Sequence, residues 1–280
     1  MVRMANPSFF MQVRRERAVL ALAGAEAEAF LHNLVTADVL GLTEGEARYV
    51  ALLTPQGKIL FDFFLLKTEG GYLLDCAASQ RDELVKRLTF YRLRAKVTFM
   101  VRDDLEIGVA PEQPAEAMAY VDPRTPLIGW RVIAAKGKLP TGTGYEAARI
   151  ALGLADTDGD IGSGQLFPHE ANFDQFGAVS FTKGCYIGQE VVSRMEHRAT
   201  ARSRILPVAF DGTAPPRDTA VRSGEKIIGS VLSSIGNRAL ALMRLDRLSE
   251  AEEPLLTGGV STVVQKPAWI KYDVNSKGFA

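Results

Sequence analysis

The chain has 280 residues, 47% hydrophobic and 24% charged, which is ample apolar material for more than one core. Its 33 basic and 33 acidic residues cancel, so no global field draws it to nucleic acid or to a membrane surface. No apolar run reaches the ~20 residues that cross a bilayer, and Met1 to Arg17 lacks the apolar stretch of a signal peptide. Cys76 and Cys185 stand far apart, and no Cys/His cluster has zinc or iron–sulfur ligand spacing. A cytoplasmic protein with reduced thiols, no metal of its own and no membrane contact is expected.

Ala25 to Asn33 is helical by composition, with Phe30, Leu31 and Leu34 on one side. Ala47–Leu53 and Ile59–Lys67 read as strands around a Thr54-Pro-Gln-Gly57 hairpin turn. Gly70-Gly71 makes the next turn, and Tyr72 to Ala77 the next strand. Gln80 to Tyr91 is an amphipathic helix, and Ala95 to Val101 a further strand. That order predicts an α+β fold with an antiparallel sheet. Residues 102–145 read as looser, with strand candidates at Glu106–Ala110 and Gly129–Ala134 among five prolines. Tyr145 to Leu154 is a helix, 156–167 a Gly-rich loop, and Glu190 to His197 a helix. After Ala201 short strands alternate with Gly, Pro and Asp turns, which predicts a small antiparallel β-barrel.

The segment Phe181-Thr-Lys-Gly-Cys-Tyr-Ile-Gly-Gln-Glu190 concentrates a cation, a thiol, a phenol, an amide and a carboxylate around two glycines. Lys183 would favour the Cys185 thiolate, and a helix starting near Gly188 would add its positive end. On residue types alone, a reactive thiol and a small buried hydrophobe are both open. Cys76, inside the apolar Tyr72–Ala77 strand, reads as core.

Several blocks in order resemble the folate-binding YgfZ family, a relative of the glycine-cleavage aminomethyltransferase and of the mitochondrial factor that matures 4Fe–4S proteins. They are Phe30-Leu-His-Asn-Leu-Val-Thr-Ala-Asp38, Leu53-Thr-Pro-Gln-Gly-Lys-Ile-Leu-Phe-Asp62, Tyr91-Arg-Leu-Arg-Ala-Lys-Val97, Arg149-Ile-Ala-Leu-Gly153, Phe167-Pro-His-Glu-Ala-Asn-Phe-Asp174, Lys183-Gly-Cys-Tyr-Ile-Gly-Gln-Glu190 and Gly229-Ser-Val-Leu-Ser-Ser234. The resemblance implies a cloverleaf α+β folate-binding body over 1–201, with a break near 102–145. A C-terminal barrel over 202–270 and a tail over 271–280 complete it.

By the same resemblance, tetrahydrofolate or another folate would sit in a central hole. The function implied is assembly or repair of iron–sulfur clusters in client proteins, including a radical tRNA-modifying enzyme. Cys185 would be the functional thiol, with Lys183 and, more weakly, Asp62 beside the chemistry. Tyr186, Gln189, Glu190, Arg194, Asn172 and Asp174 are the expected cofactor contacts, with Arg194 or Arg198 for the glutamate tail. Partners would be iron–sulfur clients or the assembly machinery, nucleic-acid contact would be indirect, and the protein would be a monomer. Two rivals stand beside this reading: a folate-dependent one-carbon transferase, motivated by Asp62, and an interaction module that has lost folate. Phe61 and Ala151 motivate the second rival, since the related aminomethyltransferase carries carboxylates at the matching positions.

Overall fold

The computed structural model describes residues 9–115, 117–197 and 201–274. Its body opens with β1 (Gln12–Val13), β2 (Arg17–Ala23) and α1 (Ala27–Leu34). Next come β3 (Ala47–Leu53), β4 (Ile59–Thr68), β5 (Gly71–Ala77), α2 (Arg81–Arg92) and β6 (Thr98–Val101). Then follow β7 (Leu105–Ala110), β8 (Met118–Val121), β9 (Trp130–Ala135), α3 (Tyr145–Ala151) and α4 (Gln189–His197).

A five-stranded antiparallel sheet runs β3-β4-β5-β2-β6, and a four-stranded one runs β1-β7-β9-β8. The first sheet is buried on both faces. Leu20, Leu22, Leu52, Phe61, Phe63, Leu65 and Leu74 pack under α1 and α2. Tyr49, Leu53, Phe64 and Leu66 pack the opposite way, against Ile107 and Ile133 of the second sheet and Phe173 of the connecting segment. Phe61 and Asp62 therefore point to opposite faces, as successive strand residues must. Leu52 pairs with Phe61 and Leu53 with Ile59, so Leu60 is the extra residue of a β-bulge.

Two sequence expectations need correction. Residues 102–145 are the second sheet rather than a loose break, and β8 there escapes pattern reading because Met118–Val121 is short with exposed ends. β2 escapes it as well, although it is the inner strand between β5 and β6. Its RAVLALA run is Ala-rich and shows no alternation because both of its faces are covered.

The C-terminal unit is a closed antiparallel barrel of β10 (Ser203–Phe210), β11 (Ala220–Ser223), β12 (Lys226–Ile235), β13 (Arg238–Arg244), β14 (Leu255–Thr257) and β15 (Val260–Val264). Closure leaves no sheet edge to pair elsewhere. A five-residue helix, α5 (Leu245–Ser249), plugs one side with buried Leu248. The chain after the barrel straps it to the body: Trp269 Nε1 donates to the Leu152 carbonyl at 2.8 Å, and the Tyr272 hydroxyl donates to Asn172 Oδ1 at 3.0 Å.

Candidate functional site

The Cys185 loop is seated on the tip of the β3–β4 hairpin by two glycines. At Gly188 (φ +79°) a Cβ would lie 2.6 Å from the Thr54 carbonyl oxygen and 2.9 Å from the Gly57 Cα. Only glycine lets the two backbones approach that closely. A second anchor is Lys183. Its ammonium donates to the carbonyls of His32, Val35 (2.6 Å) and Ala37 (3.0 Å), where α1 ends. These carbonyls have no partner within the helix, and the dipole there favours a cation. Burial lowers the Lys183 pKa to about 8, against the pull of Asp38.

The third anchor is the thiol's own neighbours. Tyr186 enters the inter-sheet core and Ile187 the helix-covered core. The Tyr186 N–H donates to Gln189 Oε1 at 3.3 Å. Between these buried residues and Gly184, which has open space around it, Cys185 is exposed.

Lys183, expected beside the chemistry, is placed as an anchor of the loop. An ammonium has three N–H groups, and all three are used on carbonyls. Cys185 lies four residues before Gln189, where α4 begins. What distinguishes the thiol is accessibility. Cys76 is 1% exposed, and burial pushes its pKa up to about 12. Native protein at pH 8 should take up one iodoacetamide, at Cys185, and a second only in denaturant. Peptide mass mapping checks this, and rapid native labelling of Cys76 would contradict the assignment.

Asp62 lies in the space between the sheets, where its carboxylate accepts from the Tyr49 hydroxyl and from Thr157 Oγ1, both at 2.8 Å. Burial raises its pKa, while Arg17 opposes. Around it the Arg17, Arg124 and Arg131 guanidiniums gather over the Phe64 ring, at 5.5, 4.9 and 3.8 Å from its centre. Asp75 and Asp122 neutralise them from behind. The space left beside Asp62 is about 10 Å³, room for no more than a water.

An adjoining cavity of about 340 Å³ opens beside this network. Arg14, Arg17, Arg149, Glu146 and Asp156 line it. Arg14 bridges Glu146 (2.7 Å) and Asp156 (3.3 Å), and Arg149 donates to Glu146 at 2.8 Å. Burial would raise the Asp156 pKa, but Arg17, Arg149 and Arg14 together hold it well below the usual carboxylate range. Sequence reasoning does not find Glu146, Arg14 and Asp156. They come from separate stretches of chain and carry no shared spacing.

None of the expected cofactor contacts lines this cavity. Asn172 (φ +62°) donates from Nδ2 to the Ile205 carbonyl at 2.8 Å and accepts from Tyr272, so both ends of its amide hold the barrel. Asp174 is bound by Arg204 at the same junction. Their expected ligand role gives way to a structural one. Glu190 and Arg194 form an exposed i,i+4 pair at 2.7 Å on α4. Tyr186 and Gln189 support the thiol loop, and Arg198 lies outside the described residues. His169 Nε2 meets Glu196 at 2.9 Å near Asp174, but the Arg204 guanidinium in that cluster opposes a cation.

Residues 202–272 match the family model for the C-terminal beta-barrel domain of CAF17. The whole chain superposes on the aminomethyltransferase T of the glycine cleavage system from Bartonella henselae with a TM-score of 0.73, covering 94% of this chain and 86% of that one. Sequence identity there is 15%, so the likeness is one of fold. The iron-sulfur cluster assembly factor IBA57 homolog of Pyricularia oryzae is 30% identical, over 86% of this chain and 73% of that protein. Human IBA57 is also 30% identical, over 83% of this chain and 76% of its own length. Both relatives are named as mitochondrial, which overturns the cytoplasmic expectation. Identity of this level, sustained over most of each relative, shows that the chain belongs to the IBA57 family of iron–sulfur cluster assembly factors.

Proposed function

We propose that this protein is an accessory factor in the assembly or repair of iron–sulfur clusters, acting on client enzymes or with the assembly machinery through Cys185. The observation that carries the reading is an exposed thiol on a loop fixed at three points, while the second thiol is buried. Thiolates are soft ligands for iron and nucleophiles toward sulfur. An exposed, rigidly based thiol can meet a cluster carried by another protein. Kinship with IBA57 supports the cluster role, and the motif's likeness to YgfZ proteins supports the thiol.

Folate binding belongs to the same proposal, with a changed location. In the 340 Å³ cavity the Glu146 carboxylate holds Arg14 through one oxygen and Arg149 through the other, and a pterin edge and a carboxylate tail would bind by exchanging those contacts. The lining thus has the two charge types that a folate would engage, a carboxylate and guanidiniums. The space beside Asp62 does not admit a pterin, and both Asp62 oxygens already accept hydrogen bonds. Folate is thus proposed as a bound ligand rather than a substrate of Asp62, and the one-carbon transferase reading has no observation in its favour.

In a deletion strain, activity of 4Fe–4S enzymes is expected to fall. Wild-type and Cys76→Ala proteins should restore it, and Cys185→Ala should not. Full restoration by Cys185→Ala sinks the thiol assignment, and an unchanged deletion strain sinks the cluster role. Calorimetry with tetrahydrofolate should show saturable binding that Glu146→Gln weakens and Asp62→Asn leaves intact. Absence of binding beside normal complementation removes the folate from the proposal and keeps the rest.

A further inference from the structure

The chain is neutral overall, yet between Glu83 and Asp103 it holds Lys86, Arg87, Arg92, Arg94, Lys96 and Arg102 with no carboxylate. Lys86 pairs with Glu83, and Arg102 with Asp104. Among the described residues, Arg87, Arg92, Arg94 and Lys96 pair with no carboxylate, and all four are exposed. A dense run of unneutralised cations repels itself and costs stability unless something offsets it.

The same segment exposes apolar surface. Phe90 is 69% exposed and Leu93 86%. Leu93 also has φ +45°, a left-handed backbone that a leucine rarely adopts. A strained residue holding a large side chain out in water is a reason to look for what covers it.

A groove of about 440 Å³ runs along this part of α2. Leu60 and Phe61 of β4 line it together with Phe90, Arg87 and the Lys86–Glu83 ion pair of α2, and Ser163 closes it from the connecting segment. Leu60 is the bulge residue of β4, so the bulge turns an extra apolar side chain toward the groove. Nothing in this groove belongs to the Cys185 loop or to the Arg14–Arg149 cavity.

We propose that the groove between α2 and the start of β4 docks an acidic segment of a partner protein, with an apolar side chain of that segment on Leu60 and Phe61. Arg87 in the groove, with Arg92, Arg94 and Lys96 where α2 ends and just beyond it, then meets carboxylates flanking the anchor. Shape and charge together choose this occupant. A bilayer takes up projecting residues rather than a concave floor. Single-stranded nucleic acid needs open aromatic faces in series for stacking, whereas of the two aromatic rings lining the groove Phe61 is 6% exposed and Phe90 alone stands open. An apolar anchor between acids fills the floor and the rim at once. The groove starts on the same hairpin whose tip seats Gly188, so a partner held there lies on the side of the sheet that carries α1 and α2. The inference concerns binding alone and does not depend on the role of Cys185.

The test is fluorescence anisotropy with a short labelled peptide of glutamates around a central Leu-Phe pair, added to the full chain. Binding is expected to saturate in the micromolar range and to weaken as salt rises. An all-glutamate peptide, the Phe90→Ala protein and the Arg87→Glu/Arg94→Glu protein should each bind about tenfold or more weakly. All the changed residues are exposed, and circular dichroism melts should match wild type. Oligouridylate and phosphatidylglycerol vesicles should not displace the peptide. The proposal is overturned by no saturation up to millimolar peptide, by equal binding to the charge-reversed protein, or by tighter binding of the RNA or the vesicles.

Discussion

Asp75→Ala is expected to lower stability by about 3–5 kcal/mol, because one carboxylate serves two buried cations. Asp75 is 1% exposed on β5. Its carboxylate accepts from Arg17 Nε and Arg131 Nε, each at 2.7 Å. Both guanidiniums are themselves buried. Removing the carboxylate leaves Arg17 its hydrogen bond to the Asp75 carbonyl at 2.6 Å, but the nearest carboxylates are then Asp156 at 3.7 Å from Arg17 and Asp122 at 3.6 Å from Arg131. Breaking a buried pair costs more than the pair contributes, because an uncompensated charge stays behind. Urea unfolding should show the midpoint fall with the slope unchanged. Asp75→Asn keeps the volume and one acceptor and should lose less. A loss under about 1 kcal/mol for the alanine change would mean that the guanidiniums reach water.

Gly188→Ala is expected to cost roughly 2–4 kcal/mol and to unseat the Cys185 loop. Two effects add. The backbone sits at φ +79°, where an L residue is strained, and the new Cβ meets backbone rather than a movable side chain. The Thr54 carbonyl and the Gly57 Cα cannot both retreat, because the hairpin turn is closed by Gly57 N–H to Thr54 O at 2.9 Å. Gly184→Ala is the control. It has no heavy atom within 4 Å of its virtual Cβ, and it should stay within about 0.5 kcal/mol of wild type. Limited proteolysis between Ser180 and Gln189 should rise sharply for the first variant and not for the second. Equal proteolysis of the two would remove Gly188 from the account of how the thiol is held.

The sequence alone determined the element types, because local chemistry sets them. The Thr54–Gly57 turn, the β3–β4 hairpin and the short barrel strands follow from turn residues and from runs of β-branched and aromatic residues. The motif around Cys185 also marked itself out, since so many chemically distinct residues around two glycines are unusual. β2 was not legible, because its Ala-rich RAVLALA run has neither alternation nor the aromatic residues that mark β4. Nor was the assignment of charges. Lys183 stands two residues from Cys185 in sequence, yet its ammonium is taken by a helix end that lies about 150 residues away along the chain. Asn172 and Asp174 sit in a motif-like block, yet their partners are barrel residues. Glu146, Arg14 and Asp156 share a cavity without sharing a spacing. Adjacency in sequence sets which face a residue can point to. Which groups end up within hydrogen-bond reach was decided only when the sheets, the helices and the barrel closed on one another, because buried charges must find partners wherever the chain brings them.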